Sequence, residues 1–306
     1  MSLPEVGTGL IAGGTSIDPA ATGIEGTATP GFGVAAHKRL GWVFWVAAGW
    51  VVLVILAAIF AGLLPLQDPS VPSALPGLDP SGSHLLGTDE LGRDLLSRVV
   101  YGSRVSLIVG FSSIALGLAV GGMLGLLAGY YRGFLDSVIT GAANILLAFP
   151  ALVLGLAIVT FWGPSLFHVT IAIAILSIAP LTLVVRGSTV IYSEREFVSA
   201  ARMLGASNRP IILREIFPNV VPAAVSLGLI SVAVAIVAEG GLSFLGLSVR
   251  APTPTWGNMI AEGQAVIGQH PLIALWPGLA MFLTVLALNI AGDRLRGYFD
   301  IKEGGL

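Results

Sequence analysis

The side chains able to do chemistry are few in this 306-residue chain. There is no cysteine, which removes thiolate nucleophiles, disulfides and Cys-based metal sites. The four histidines, His37, His84, His168 and His270, are scattered at spacings that suggest no metal site. A Gly-x-x-x-x-Gly-Lys-Ser/Thr phosphate loop is absent, and so is a Gly-x-Ser-x-Gly nucleophile elbow. What remains is suited to pairing and docking. Glu239 is an acid inside an apolar run, and Asn144 is an amide inside another. Arg93, Asp94 and Arg98 cluster ahead of a third, and a basic polar stretch occupies 187–219.

The elements that must position these residues follow from composition. The chain is 55% hydrophobic and 10% charged, with a mean hydropathy of +0.90. A soluble domain carries about 25% charged residues, so too few remain to coat a water-facing globule. Apolar runs at 42–64, 105–129, 138–162, 168–186, 220–245 and 273–292 each approach the roughly 20 residues a bilayer requires. The expected fold is all-α, a polytopic membrane protein of about six transmembrane helices. Residues 1–36 are poor in large apolar side chains and read as a disordered cytoplasmic tail. Residues 37–300 form the transmembrane region and 301–306 a short C-terminal tail. The run at 42–64 is too long for a signal-peptide core and reads as an uncleaved first span.

Charge placement sets an expected orientation. With both termini cytoplasmic, eleven Lys and Arg residues near the spans fall inside, against Arg93, Arg98, Arg104 and Arg250 outside, as the positive-inside rule favours. The net charge of −2 gives no sign of a nucleic-acid partner. The outer loop then covers 65–104. Within it Thr88 reads as a helix cap, followed by an amphipathic surface helix with Leu91, Leu95, Leu96, Val99 and Val100 on one side. Arg93, Asp94 and Arg98 would pair on its solvated face.

The long inner loop, 187–219, predicts two short helices around a tight bend. Phe197, Ala200, Ala201 and Leu204 recur at helical spacing after Glu196, and Gly205 is placed for a left-handed cap. Ser207 or Asn208 can cap the second helix, with Pro210 in its first turn. Pro218 and Pro222 mark the return to the membrane. Small residues on the first helix permit close contact with another protein.

These residues resemble the EAA loop of ABC importer permeases, a Glu-Ala-Ala, three variable residues, Gly, then Leu-Pro. Ala200, Ala201, Gly205 and Pro218 match it; Ser199 stands where the family usually has Glu and Phe217 where it usually has Leu. The segment Gly87-Thr88-Asp89-Glu90-Leu91-Gly92-Arg93-Asp94 resembles the C-type subunit of dipeptide, oligopeptide and nickel permeases. So do Gly129-Tyr130-Tyr131-Arg132-Gly133, Leu147-Ala148-Phe149-Pro150, Leu242-Ser243-Phe244-Leu245-Gly246 and Trp256-Gly257-Asn258. The resemblance covers about 38–300. It implies a type I importer permease in a bacterial inner membrane and a second, homologous B-type permease. It also implies two cytoplasmic ATPase subunits that carry ATP and Mg, and an extracytoplasmic binding protein. This chain would itself hold no cofactor and be no enzyme. Glu196, Ser199, Ala200, Ala201, Leu204, Gly205, Ala206 and Pro218 would dock the ATPase. The implied solute is a short peptide, with nickel or glutathione as alternatives within the family.

Glu239, Asn144, Arg93 and Asp94 are the candidates for the solute path or its gate. An ionisable group within a span is costly and suggests function. The commoner reading of Glu239 is a buried partner for a backbone or hydroxyl group, and of Asn144 an interhelical hydrogen bond. Trp256 reads as an anchor at headgroup level, and Pro150 and Pro180 as kinks. An ion-driven transporter would show internal repeats and more intramembrane acids. A membrane scaffold would not need the bent inner loop.

Overall fold

The structure is a computed structural model and describes residues 41–303. The expectations for the tail 1–36, for His37, Lys38 and Arg39, and for the last three residues lie outside that range. Every named element among the described residues is helical. Lipid offers no partner to backbone groups, so a span must satisfy its own N–H and C=O. Helices α1 (Gly41–Phe60), α2 (Leu95–Tyr131), α3 (Gly133–Ala148), α4 (Ala151–Trp162) and α5 (Leu166–Ser193) are followed by the short α6 (Glu196–Met203). Then come α7 (Asn208–Phe244), α8 (Trp256–Gln264) and α9 (Pro271–Glu303). Five of these are long and apolar enough to cross a bilayer, and α3 with α4 makes a sixth if taken as one bent span.

Four expectations about the helical elements change in the structure. The run at 138–162 is two helices meeting at 87°. Pro150 forces Phe149 into extended backbone, at φ −82° and ψ 138°. No separate surface helix precedes the second span. Asp94, not Thr88, caps α2, its carboxylate accepting from the Ser97 N–H at 2.8 Å, and the helix runs unbroken for 37 residues. The second inner-loop helix is likewise not separate: α7 starts at Asn208 and passes through a π-helical stretch, Ile211–Ile216, into the span. That wider turn lies immediately ahead of Pro218 and Pro222, which lack the N–H of an ordinary helical rung. Finally, the last helix continues into the expected tail, to Glu303.

The core is the pair α2 and α5. Gly117, Gly121, Gly125 and Gly129 of α2 lie against α5. A Cβ at Gly121 would stand 2.7 Å from the Ile178 carbonyl oxygen, and one at Gly125 2.6 Å from that of Thr182. Backbones this close gain dispersion contact where lipid supplies no hydrophobic drive for pairing. Helix α7 packs on both, through Val232, Ala233 and Ile236 against Val109 and Ile173. Helix α1 lies on α9, tied by the Trp50 indole N–H to Thr284 Oγ1 at 3.2 Å, and leaves most of its surface exposed. Trp256 is not a headgroup anchor. It is buried at the start of α8 and donates to the Val99 carbonyl at 3.0 Å.

Candidate functional site

Helix α6 is held at both ends by very short connections, so its pose is dictated by the spans. Val198, its inward residue, enters an apolar cluster with Tyr130, Val185, Tyr192, Ile211 and Ile216. At its C-terminus Gly205 takes φ +81°. The Ala206 N–H reaches the Ala201 carbonyl and the Gly205 N–H that of Arg202, each at 3.0 Å. This is the paired Schellman arrangement that ends a helix sharply. Of the expected apolar side, Ala201 is half-buried while Phe197, Ala200 and Leu204 face outward. Glu196, Ser199, Gly205, Ala206 and Pro218 are exposed as well. Met203 is 83% and Leu204 88% exposed. These two large apolar side chains are presented together beyond the apolar runs, among Arg195, Arg202 and Arg209.

The element is wired to α2 and α5 by polar contacts that pattern reading did not find. Tyr130 Oη donates to Asn208 Oδ1 at 2.8 Å, and the Arg202 guanidinium lies 5.4 Å over the Tyr130 ring. Arg132, with φ 53°, and Gly133, with φ 58°, reverse the chain between α2 and α3. From there Arg132 Nη2 reaches Glu194 at 2.7 Å and Ser193 Oγ at 3.3 Å. Asp136 takes both Nε and Nη2 of Arg186 and the Thr140 hydroxyl. The two-pronged Asp136–Arg186 pair fixes orientation as well as charge, whereas the exposed Arg132–Glu194 pair adds little energy. The motif containing Tyr130 and Arg132, with Asp136 just beyond it, is present in the sequence. Its partners could not be read there, because they lie 50 to 78 residues further on.

The path candidates separate in the structure. Glu239 is fully buried in α7. Ser106 Oγ of α2 donates to one carboxylate oxygen at 2.9 Å, and Ser248 Oγ to the other at 3.0 Å. It thus ties two helices to the connection that follows α7, with hydroxyls as its partners. Asn144 is exposed on α3 and makes no hydrogen bond to another helix of this chain among the described residues.

Arg93, Asp94 and Arg98 are buried, not solvated. Asp89 accepts from the Leu91 and Arg93 N–H groups, each at 2.9 Å, and from Arg93 Nε at 2.6 Å. Its second oxygen lies 3.2 Å from Arg98 Nε. Glu262 of α8 then accepts from Arg93 at 3.0 Å and Arg98 at 2.8 Å. Asp94 also meets His84 Nδ1 at 3.0 Å. Two arginines and two acids close a network that pins the 61–94 segment onto α2 and α8. Glu262, contributed from 164 residues away, had no signal in the sequence. Among the described residues no group of three His, Asp or Glu is placed to hold a metal ion.

Comparison with known proteins bears on this geometry. Residues 121–302 match the family described as binding-protein-dependent transport system inner membrane component. The chain is 39% identical over 260 residues to the glutathione transport system permease protein GsiD of Pectobacterium atrosepticum, covering 84% of this chain and 86% of that one. It is 41% identical over 261 residues to the GsiD protein of Escherichia coli O6:K15:H31, covering 85% and 86%. Among solved structures, an inward-facing form of the MetNI methionine ABC transporter aligns with a TM-score of 0.56 at 18% identity. That alignment covers 67% of this chain and 97% of the other. An amino acid ABC transporter aligns with a TM-score of 0.50 at 16% identity, covering 69% and 95%. At such identities these two structures speak to the fold alone.

Proposed function

This chain belongs to the family of inner-membrane components of binding-protein-dependent transport systems, the ABC importer permeases, and from that premise we propose that it forms half of the path for a short peptide, with α6 as the docking point for cytoplasmic ATPase subunits. Both termini are then cytoplasmic. A second, homologous permease supplies the other half of the path, and an extracytoplasmic binding protein delivers the solute. ATP and Mg belong to the ATPase subunits, and this chain does no covalent chemistry. Glutathione, a tripeptide named for the GsiD relatives, is the first substrate to test.

One observation carries the docking assignment: Met203 and Leu204, at 83% and 88% exposure, are offered side by side at the end of a sharply capped helix. A groove on a partner can take both without rearranging the permease. Coupling requires only that the partner's nucleotide states bind this tip with different affinity.

The test is affinity between the purified permease pair and the ATPase subunits. Met203→Asp and Leu204→Asp place a charge in the contact. Each should weaken binding by roughly 30-fold, the cost of losing a typical hot-spot residue, with thermal stability unchanged because both side chains are exposed. Wild-type affinity in both variants would remove α6 from the docking site. For the substrate, proteoliposomes holding the full complex and its binding protein should take up labelled glutathione in an ATP-dependent way. Competition by dipeptides alone would shift the reading to other short peptides, and nickel uptake indifferent to either would overturn it.

A further inference from the structure

A groove of about 560 Å³ runs between α1 and α2. Ile55 and Ile59 of α1 and Leu107, Ile108 and Phe111 of α2 form its walls, with Arg104 at one end. Residues 104, 107, 108 and 111 share one helix face. The cation therefore heads an apolar channel directed along α2 into the bilayer.

Depth follows from α1. Its 20 residues span about 30 Å, the thickness of the hydrocarbon core. Arg104 Nε donates to the Ala58 carbonyl at 2.9 Å and Nη2 to the Ile59 carbonyl at 3.2 Å. These belong to the last turn of α1, so the guanidinium sits where hydrocarbon meets headgroups.

Charge supplies the rest. Arg93 and Arg98, on the same side of the bilayer, are neutralised by Asp89 and Glu262. Arg104 has only neutral partners: the two carbonyls and the Tyr101 ring, whose centroid is 5.5 Å away. A guanidinium has five N–H groups; two are used here, and no carboxylate lies within ion-pair distance among the described residues. We propose that this groove binds an anionic phospholipid, its phosphate on Arg104 and an acyl chain between α1 and α2. The assignment does not depend on the identity of the transported solute.

The experiment is native mass spectrometry of the intact, detergent-purified complex titrated with phosphatidylglycerol, phosphatidylcholine or inorganic phosphate. Wild type should retain phosphatidylglycerol in preference to phosphatidylcholine, and inorganic phosphate should not displace it, because the chain contact is missing. Arg104→Gln should cut retention roughly fivefold, the contribution of one arginine at an anionic surface. Because Arg104 also caps α1, Ile108→Trp serves as the independent variant. It fills the groove, leaves the cap intact and should abolish the same adduct. Equal retention of the two lipids, or full retention in Ile108→Trp, would overturn the proposal. So would cross-linking of the Ile108→Cys variant to the second permease by a bifunctional thiol–amine reagent, since a protein helix would then occupy the groove.

Discussion

Replacing Gly205 by alanine isolates the backbone of the turn proposed to dock the ATPase. A Cβ at this position meets nothing within 4 Å, so steric clash contributes nothing. The cost is conformational: φ is +81°, and a non-glycine residue held in the left-handed region loses about 1–2 kcal/mol. The chain can bear that strain or escape it. Escape breaks the Ala206–Ala201 and Gly205–Arg202 bonds, at about 1 kcal/mol each, and turns Met203 and Leu204 away from their present direction. Bearing the strain lowers stability alone, whereas escape also lowers ATPase affinity, by up to the 1–2 kcal/mol of strain avoided, roughly 5- to 30-fold. Asparagine tolerates the left-handed region and should restore most of the loss, whereas β-branched valine should be worse than alanine. Biolayer interferometry of the permease pair in nanodiscs against immobilised ATPase subunits reads this directly. Thermal unfolding of each variant confirms that the spans are intact. If alanine and valine both bind like wild type with melting temperatures unchanged, neither route operates, the cap geometry has no part in docking and the reasoning fails.

Glu239→Leu should lower stability in detergent by about 1–3 kcal/mol, since the buried Ser106 and Ser248 hydroxyls lose their acceptor. Glu239→Gln keeps an acceptor oxygen and should lose less; a Gln variant of full stability with no uptake would instead make Glu239 a solute contact. Gly125→Ala should destabilise by about 1–3 kcal/mol through overpacking against Thr182 and Arg186 of α5. Gly122→Ala, whose nearest neighbour is a flexible Leu118 methyl at 4.0 Å, should be near neutral, and the difference is readable as a gap in melting temperature. Arg98→Leu leaves Asp89 with Arg93 alone and removes a charge-assisted bond to Glu262, and should cost about 1.5–3 kcal/mol. Glu262→Gln should cost less because Glu262 is 35% exposed; equal melting temperatures for the two would show that the network is not what pins the outer segment.

The sequence made the helical class and the approximate spans legible because lipid leaves a chain few alternatives. A run of 20 apolar residues must be helical, and composition alone reports it. The cap that ends α6 was legible for a different reason. Gly205 is a local requirement, and a left-handed cap can be seen within a few residues of the helix it ends. What stayed hidden depends on distant partners. Arg93 and Arg98 look like surface charges until Asp89 and Glu262 close over them, and Trp256 looks like an interface anchor until Val99 takes its N–H. The 87° break at Pro150 was half visible: proline announces a defect, but the neighbouring packing decides whether the helix kinks or ends.

The placement of the polar contacts bears on how motion could cross the bilayer. Helix α5 ends at Ser193 and α6 begins at Glu196; α6 ends at Met203 and α7 begins at Asn208. No flexible loop intervenes on either side, and Val198 is locked into the cluster shared by α2, α5 and α7. A displacement of α6 must therefore displace the adjoining ends of two spans, while the glycine contact carries α2 along with α5. At the far end of α7, Glu239 binds the same span to Ser106 of α2 and to Ser248. A bilayer-crossing helix tied by apolar packing at one end and by a buried carboxylate at the other moves as a lever rather than bending, except where its hydrogen-bond ladder is already irregular. In α7 that place is the π-helical stretch, Ile211–Ile216, directly after the docking turn. Under the proposed docking, buried Ile211, Ile212 and Ile216 brace that stretch against its neighbours, so that a push on α6 would pass to the spans instead of being absorbed there.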